Sequence, residues 1–108
     1  MLKRLPNYKL QSAISKLADF ENYNRTIVGE NVPNDLYTIF HWGTLVLSYN
    51  TASGKIEHLS RGFISQTTST LVGRIVRSLP RSAVVAYLSN SEISKTERKR
   101  IARMVGLV

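Results

Sequence analysis

Two groups of cations in the second half of the chain are spaced to meet a polyanion. Arg74, Arg77 and Arg81 fall at i, i+3 and i+7, one stripe if a helix runs through Pro80. Lys95, Lys99, Arg100 and Arg103 share one side of a second helical segment, with Arg98 beside them and Glu97 as the one acid in the run. Guanidinium forks grip phosphate bidentately, and ammonium groups meet it as point charges. Ahead of the first stripe, Thr67, Thr68 and Ser69 stand where a helix should begin. Hydroxyls and free amides at the positive end of a helix dipole can hold a phosphate. The plainer use of such hydroxyls is capping, and the plainer use of a charge run is a wet helix face.

Charge distribution favours the polyanion. The formal net charge is +8, and it is uneven: residues 1–60 hold six Lys/Arg against five Asp/Glu, residues 61–108 nine against two. Such asymmetry suggests one face turned to nucleic acid, DNA or RNA, or to an acidic host protein. A helix-turn-helix reader of bases is disfavoured, because Leu88 to Ser94 is longer than the usual three- or four-residue turn. Backbone binding is the expectation, and it should weaken with salt.

Other chemistries find little support. The chain has no cysteine, which removes disulfides, thiol nucleophiles and cysteine-based zinc sites. His41 and His58 are the two histidines, on strands expected to pair, but two without a third ligand make a poor metal site. Ser48 or Thr44 as a nucleophile beside them has no supporting pattern. There is no P-loop, dinucleotide fingerprint or paired-carboxylate signature. The expectation is a protein that is not an enzyme and needs no metal or cofactor. Tyr37, Phe40, Trp42 and Tyr49 are of the type that stacks unpaired bases, but their strand spacing assigns them to a core.

The elements that would position these groups read as follows. With 108 residues, 43% hydrophobic, the chain fits a single domain, 1–108. Leu10, Ala13, Ile14, Leu17 and Ala18 make one apolar stripe, predicting a helix over about 8–20. Arg25 to Val28 reads as a short edge strand ended by Gly29. Leu36 to Asn50 reads as one long strand with a bulge or close approach at Gly43, returning through Asn50–Gly54 into Lys55–Leu59. Three helices follow, over 67–79, 80–89 and 94–106, the last opened by a Ser94–Glu97 capping box. The fold class is α+β: a small antiparallel sheet centred on the hairpin at about 36–60, an N-terminal helix, and two or three C-terminal helices. The start MLKRLPNYKL lacks the apolar stretch of a signal peptide, and the longest clean apolar run is Ala83–Leu88, so a cytoplasmic protein with no membrane contact is expected.

Trp42-Gly43-Thr44, followed by Ser65, Thr67, Thr68 and Ser69, resembles small uncharacterised accessory proteins of bacteriophages and plasmids. In these an aromatic-Gly-Thr strand precedes a Ser-x-Thr-Thr-Ser segment that leads into a helix. A histidine often follows there; here Thr70 and Leu71 follow. The resemblance implies a phage-type accessory protein acting in the host cytoplasm, and a hydrogen-bond network joining Thr44 to the hydroxyl cluster. Together these readings point to a non-enzymatic nucleic-acid-binding protein. The alternative is a module that binds and modulates a host protein, with defence and nucleic-acid-handling proteins as candidates. A homo-oligomer built through sheet edges or exposed apolar helix faces is the third reading.

Overall fold

The computed structural model describes residues 3–60, 66–90, 93–104 and 106, with backbone alone at 66–69. Six strands form one sheet in sequence order: β1 (Lys3–Leu5), β2 (Phe20–Asn22), β3 (Ile27–Val32), β4 (Leu36–His41), β5 (Thr44–Asn50) and β6 (Lys55–Leu59). β1 runs parallel to β2, and every other neighbour is antiparallel. Four α-helices accompany them: α1 (Leu10–Ser15), α2 (Gln66–Ser78), α3 (Arg81–Leu88) and α4 (Lys95–Met104). The α+β class is as expected, but the sheet is far larger than a hairpin.

The N-terminal helix expected over 8–20 is cut short. A 3-10 turn at Asn7–Lys9 leads into α1, which stops at Ser15. The stop is a Schellman motif. The Leu17 amide donates to Ile14 O and the Ala18 amide to Ala13 O, each at 3.0 Å, with Leu17 at φ 53. Glycine usually fills that left-handed position, so leucine hid the boundary. Phe20, read as the end of the helix, instead opens β2 between β1 and β3.

β3 is longer than the edge strand expected and lies inside the sheet, paired on both sides. Gly29 sits within it rather than ending it. Phe20 is its register partner on β2, and a Cβ on Gly29 would run into the Phe20 ring and lie 2.9 Å from the Tyr37 hydroxyl. The glycine is there to let an aromatic ring lie flat across the strand.

The stretch read as one strand over 36–50 is two. Trp42 (φ 53) and Gly43 (φ 76) both have positive φ and form the two-residue turn of the β4–β5 hairpin. Gly43 is thus a turn residue, with nothing within 4 Å of where its Cβ would stand. The bulge lies farther along, between Ile39 and Phe40 in the register with β5. The β5–β6 hairpin forms as expected. Asn50 Oδ1 accepts from the Ala52 and Ser53 amides at 3.0 and 2.9 Å, and Gly54 takes φ 73.

One core joins sheet and helices. Phe20, Tyr37, Ile39 and Leu47 meet Leu10 and Ile14 of α1, Leu71 and Ile75 of α2, Val84 of α3 and Ile101 of α4. Burying each large aliphatic side chain stabilises by roughly 1.5–3 kcal/mol. Tyr37 donates its hydroxyl to Ala18 O at 2.7 Å. Burial, then the nearby Asp19 charge, drives its pKa far above the ordinary 10, so it stays a neutral donor. Asp19 accepts from the backbone and the side-chain amide of Asn31, each at 2.8 Å, which holds its carboxyl below the usual 3.8. These bonds fix the α1–β2 connection to β3. Among the described residues, no helix is long and apolar enough to cross a membrane.

Candidate nucleic-acid interface

The cationic surface is built on α4. Ser94 caps it, its hydroxyl accepting from the Glu97 amide at 3.2 Å. Ile101 and Ala102 anchor the helix in the core, and Glu97, 7% exposed, lies on that inward side. Helical periodicity then turns Lys95, Lys99 and Arg103 outward, one turn apart, and all three are exposed. The single acid of α4 is therefore removed from its cations. Arg100 is half-buried at the edge of this face. An open groove of about 590 Å³ runs along it, lined by Thr96, Lys99, Arg100, Arg103 and half-buried Met104.

Arg98 is a brace rather than part of that surface. Its Nε donates to Leu88 O at 2.8 Å, and its Nη2 to Asn90 O at 3.0 Å and Ile93 O at 3.4 Å. Leu88 is the last residue of α3, so Arg98 donates to a carbonyl at the helix end. One arginine of the basic run is spent on joining α3 to α4.

The stripe expected from Arg74, Arg77 and Arg81 is broken. Pro80 at φ −55, ψ 134 separates α2 from α3, and Arg81 opens the new helix. Arg77 is exposed but folds back along α2, its Nη1 3.1 Å from where a Cβ on Gly73 would stand. Arg74 is half-buried, and its Nη1 donates to Asn7 O at 3.3 Å. Arg74 therefore belongs with the N-terminal turn. α2 starts at Gln66, one residue earlier than expected, which puts Thr67, Thr68 and Ser69 in its first turn. Their side chains and Ser65 lie outside the described residues, as does any network with exposed Thr44.

His41 and His58 do not share a site. β5 lies between their strands; His41 is buried and His58 exposed. Burial lowers the His41 pKa, favouring the neutral imidazole. Among the described residues, no cluster of three or more His, Cys, Asp or Glu could hold a metal ion.

The aromatics divide. Tyr37 and Tyr49 are core residues and Phe40 is half-buried, but Trp42 is 75% exposed. The sequence did carry a signal for this: two β-rich runs separated by two residues, the second a glycine, mark a tight hairpin. No family model, curated protein or solved structure matches the chain.

Proposed function

We propose that the chain is a non-enzymatic accessory protein that binds nucleic acid through phosphate contacts on the outer face of α4. One observation carries this reading: Lys95, Lys99 and Arg103 stand exposed in a row while the only carboxylate of the helix is buried on the opposite side. Exposed Arg77 and Arg81 on the neighbouring helices add to the same charge. Arg100 flanks the row, and Arg74 has the smallest part. The resemblance carried by Trp42-Gly43-Thr44 and the Ser65–Ser69 segment supports a phage-type setting.

The test is binding of labelled duplex and single-stranded oligonucleotides across a salt series. Wild-type affinity should fall linearly on logarithmic axes, by roughly 0.9 per phosphate contacted on duplex DNA. Replacing Lys95, Lys99 and Arg103 together by alanine should flatten the slope by about 2–3. Absence of binding at low salt, or an unchanged slope in the triple variant, overturns the proposal.

A second reading, a host-protein modulator, is favoured by the groove. Met104 supplies an apolar element between cations, as an acidic protein surface with a protruding apolar residue would require. A partner from host lysate that survives nuclease treatment, and is lost in Met104→Asp, would select it.

A further inference from the structure

Three exposed rings stand on connections that leave the sheet at one end. Tyr8 is 80% exposed, Tyr23 65% and Trp42 75%. They come from three connections that sequence distance keeps apart and topology assembles. Ile27 pairs with His41, so the β2–β3 turn and the Trp42–Gly43 turn leave the sheet at the same end. The Trp42 amide donates to Thr26 O at 2.8 Å, tying one turn to the other. Leu5 pairs with Asn22 in the parallel β1–β2 ladder, so the chain continuing to Tyr8 leaves the sheet at that end too.

The rings are held outward by design of the backbone. Asn22 is buried, and its Oδ1 accepts from the Thr26 and Ile27 amides at 2.8 and 3.0 Å while its Nδ2 donates to Thr26 Oγ1 at 2.9 Å. This staples the turn that presents Tyr23, with Arg25 at φ 57. Trp42 occupies a left-handed turn position that asparagine suits best and a bulky ring suits poorly. Neither backbone preference nor burial explains a tryptophan there. Its ring lies beside that of His41, with centroids 6.3 Å apart.

Cations lie beside two of the rings. Lys9 Nζ lies 5.9 Å from the Tyr8 ring centroid, Arg25 is in the Tyr23 turn, and Arg74 reaches Asn7 O beside Tyr8. Glu21 is the acid near them, and it pairs with Arg4 at 3.3 Å and Arg25 at 4.0 Å. Among the described residues, the remaining exposed large apolar side chain is Val85 on α3, so this end offers flat rings and positive charge without an aliphatic patch. That pairing suits unpaired bases on a phosphate backbone, where stacking tolerates any sequence and cations follow the strand. Charge favours this occupant: Lys9 beside Tyr8 and Arg25 in the Tyr23 turn complement a phosphate backbone.

We infer that the end of the sheet carrying Tyr8, Tyr23 and Trp42 is a stacking platform for single-stranded nucleic acid, separate from the α4 face. The chain's one tryptophan is the platform's own reporter. Titration with oligo(dT) or oligo(U) of about 8–12 nucleotides should quench Trp42 fluorescence saturably, and a matched duplex should quench it far less. The quenching should persist in the Lys95, Lys99, Arg103 alanine variant, which separates this site from the other. By anisotropy of labelled oligonucleotide, Tyr23→Ala and Trp42→Asn should each weaken single-strand binding at least about fivefold. Trp42→Asn should also raise the melting temperature, since asparagine relieves the turn, so its binding loss cannot be unfolding. If labelled oligonucleotide binds while Trp42 stays unquenched and both variants bind as wild type, the platform is overturned and the α4 reading stands. Quenching by anionic phospholipid vesicles in place of oligonucleotide would overturn it as well.

Discussion

The outer face of α4 and the aromatic end of the sheet are two ways of making a surface. On α4 the side chains follow a single helical period. Lys95, Lys99 and Arg103 point outward because Ile101 and Ala102 point inward, and nothing distant is needed. At the sheet end no local period exists. Tyr8, Tyr23 and Trp42 are brought to one end of the sheet by a parallel β1–β2 ladder, a side-chain staple at Asn22 and a hydrogen bond between two turns. A surface of the first kind tolerates change at one residue and responds to salt. A surface of the second kind is stiff, depends on residues that never touch a ligand, and responds to ring and backbone geometry.

The largest effect should come from within α4 itself. Arg98 and Lys99 are neighbours in sequence with the same sign of charge, but one braces Leu88 O and Asn90 O and the other faces water. Arg98→Ala removes the charged donor to Leu88 O at the α3 end and should destabilise by roughly 1.5–3 kcal/mol. Lys99→Ala should stay within about 0.5 kcal/mol of wild type. Binding should reverse the order: folded Arg98→Ala keeps most nucleic-acid affinity, and Lys99→Ala loses some. Urea melts beside anisotropy titrations check both. Equal stability of the two variants would erase the division of labour on this helix.

The same contrast governs what was legible in the sequence. Helical periodicity and the Ser94 cap were enough to find α2, α3 and α4 and the exposed face of the last. The strong β segment and the Asn50–Gly54 turn were enough to find the β5–β6 hairpin. What failed were left-handed residues that are not glycine. Leu17 ends α1 where a stripe of apolar residues continues, and Trp42 begins a turn where a strand continues. Each merged two elements into one, because leucine and tryptophan are poor tenants of positive φ, and only at Trp42 does a following glycine give a signal. Missing β2 and the β4–β5 turn meant missing the convergence of the aromatic end. Arg98 was misread for another reason: charge shows in sequence, but whether it meets solvent or a helix terminus is decided by the packing of α3.

A second test acts on the aromatic end alone. Gly29→Ala places a methyl against the Phe20 ring on β2, the strand that ends in the Tyr23 turn. Overpacking of this kind should destabilise by about 1–3 kcal/mol and displace β2. Quenching of Trp42 by oligo(dT) should weaken, while the salt slope of duplex binding, set on α4, stays as in wild type. Loss of both together would mean that the two surfaces are one.

The smallest expected effect is a pH dependence at the root of the Trp42 turn. His41 is buried beside Trp42, and burial lowers its pKa below the ordinary 6.5. The folded state therefore binds this proton less readily than the unfolded chain. Stability from the neutral imidazole is complete above pH 6.5 and is lost as pH falls through the window between the unfolded and folded values. One proton bounds the slope at about 1.4 kcal/mol per pH unit. Between pH 7.5 and 5.5 side-chain titration is largely histidine's, so His58, exposed on β6, is the control. Urea midpoints should decline on acidification in wild type and in His58→Gln alike, and should flatten in His41→Gln. A flat profile in His58→Gln instead would move the titration to the other side of β5, and the aromatic end would lose its buried neutral neighbour as a source of stiffness.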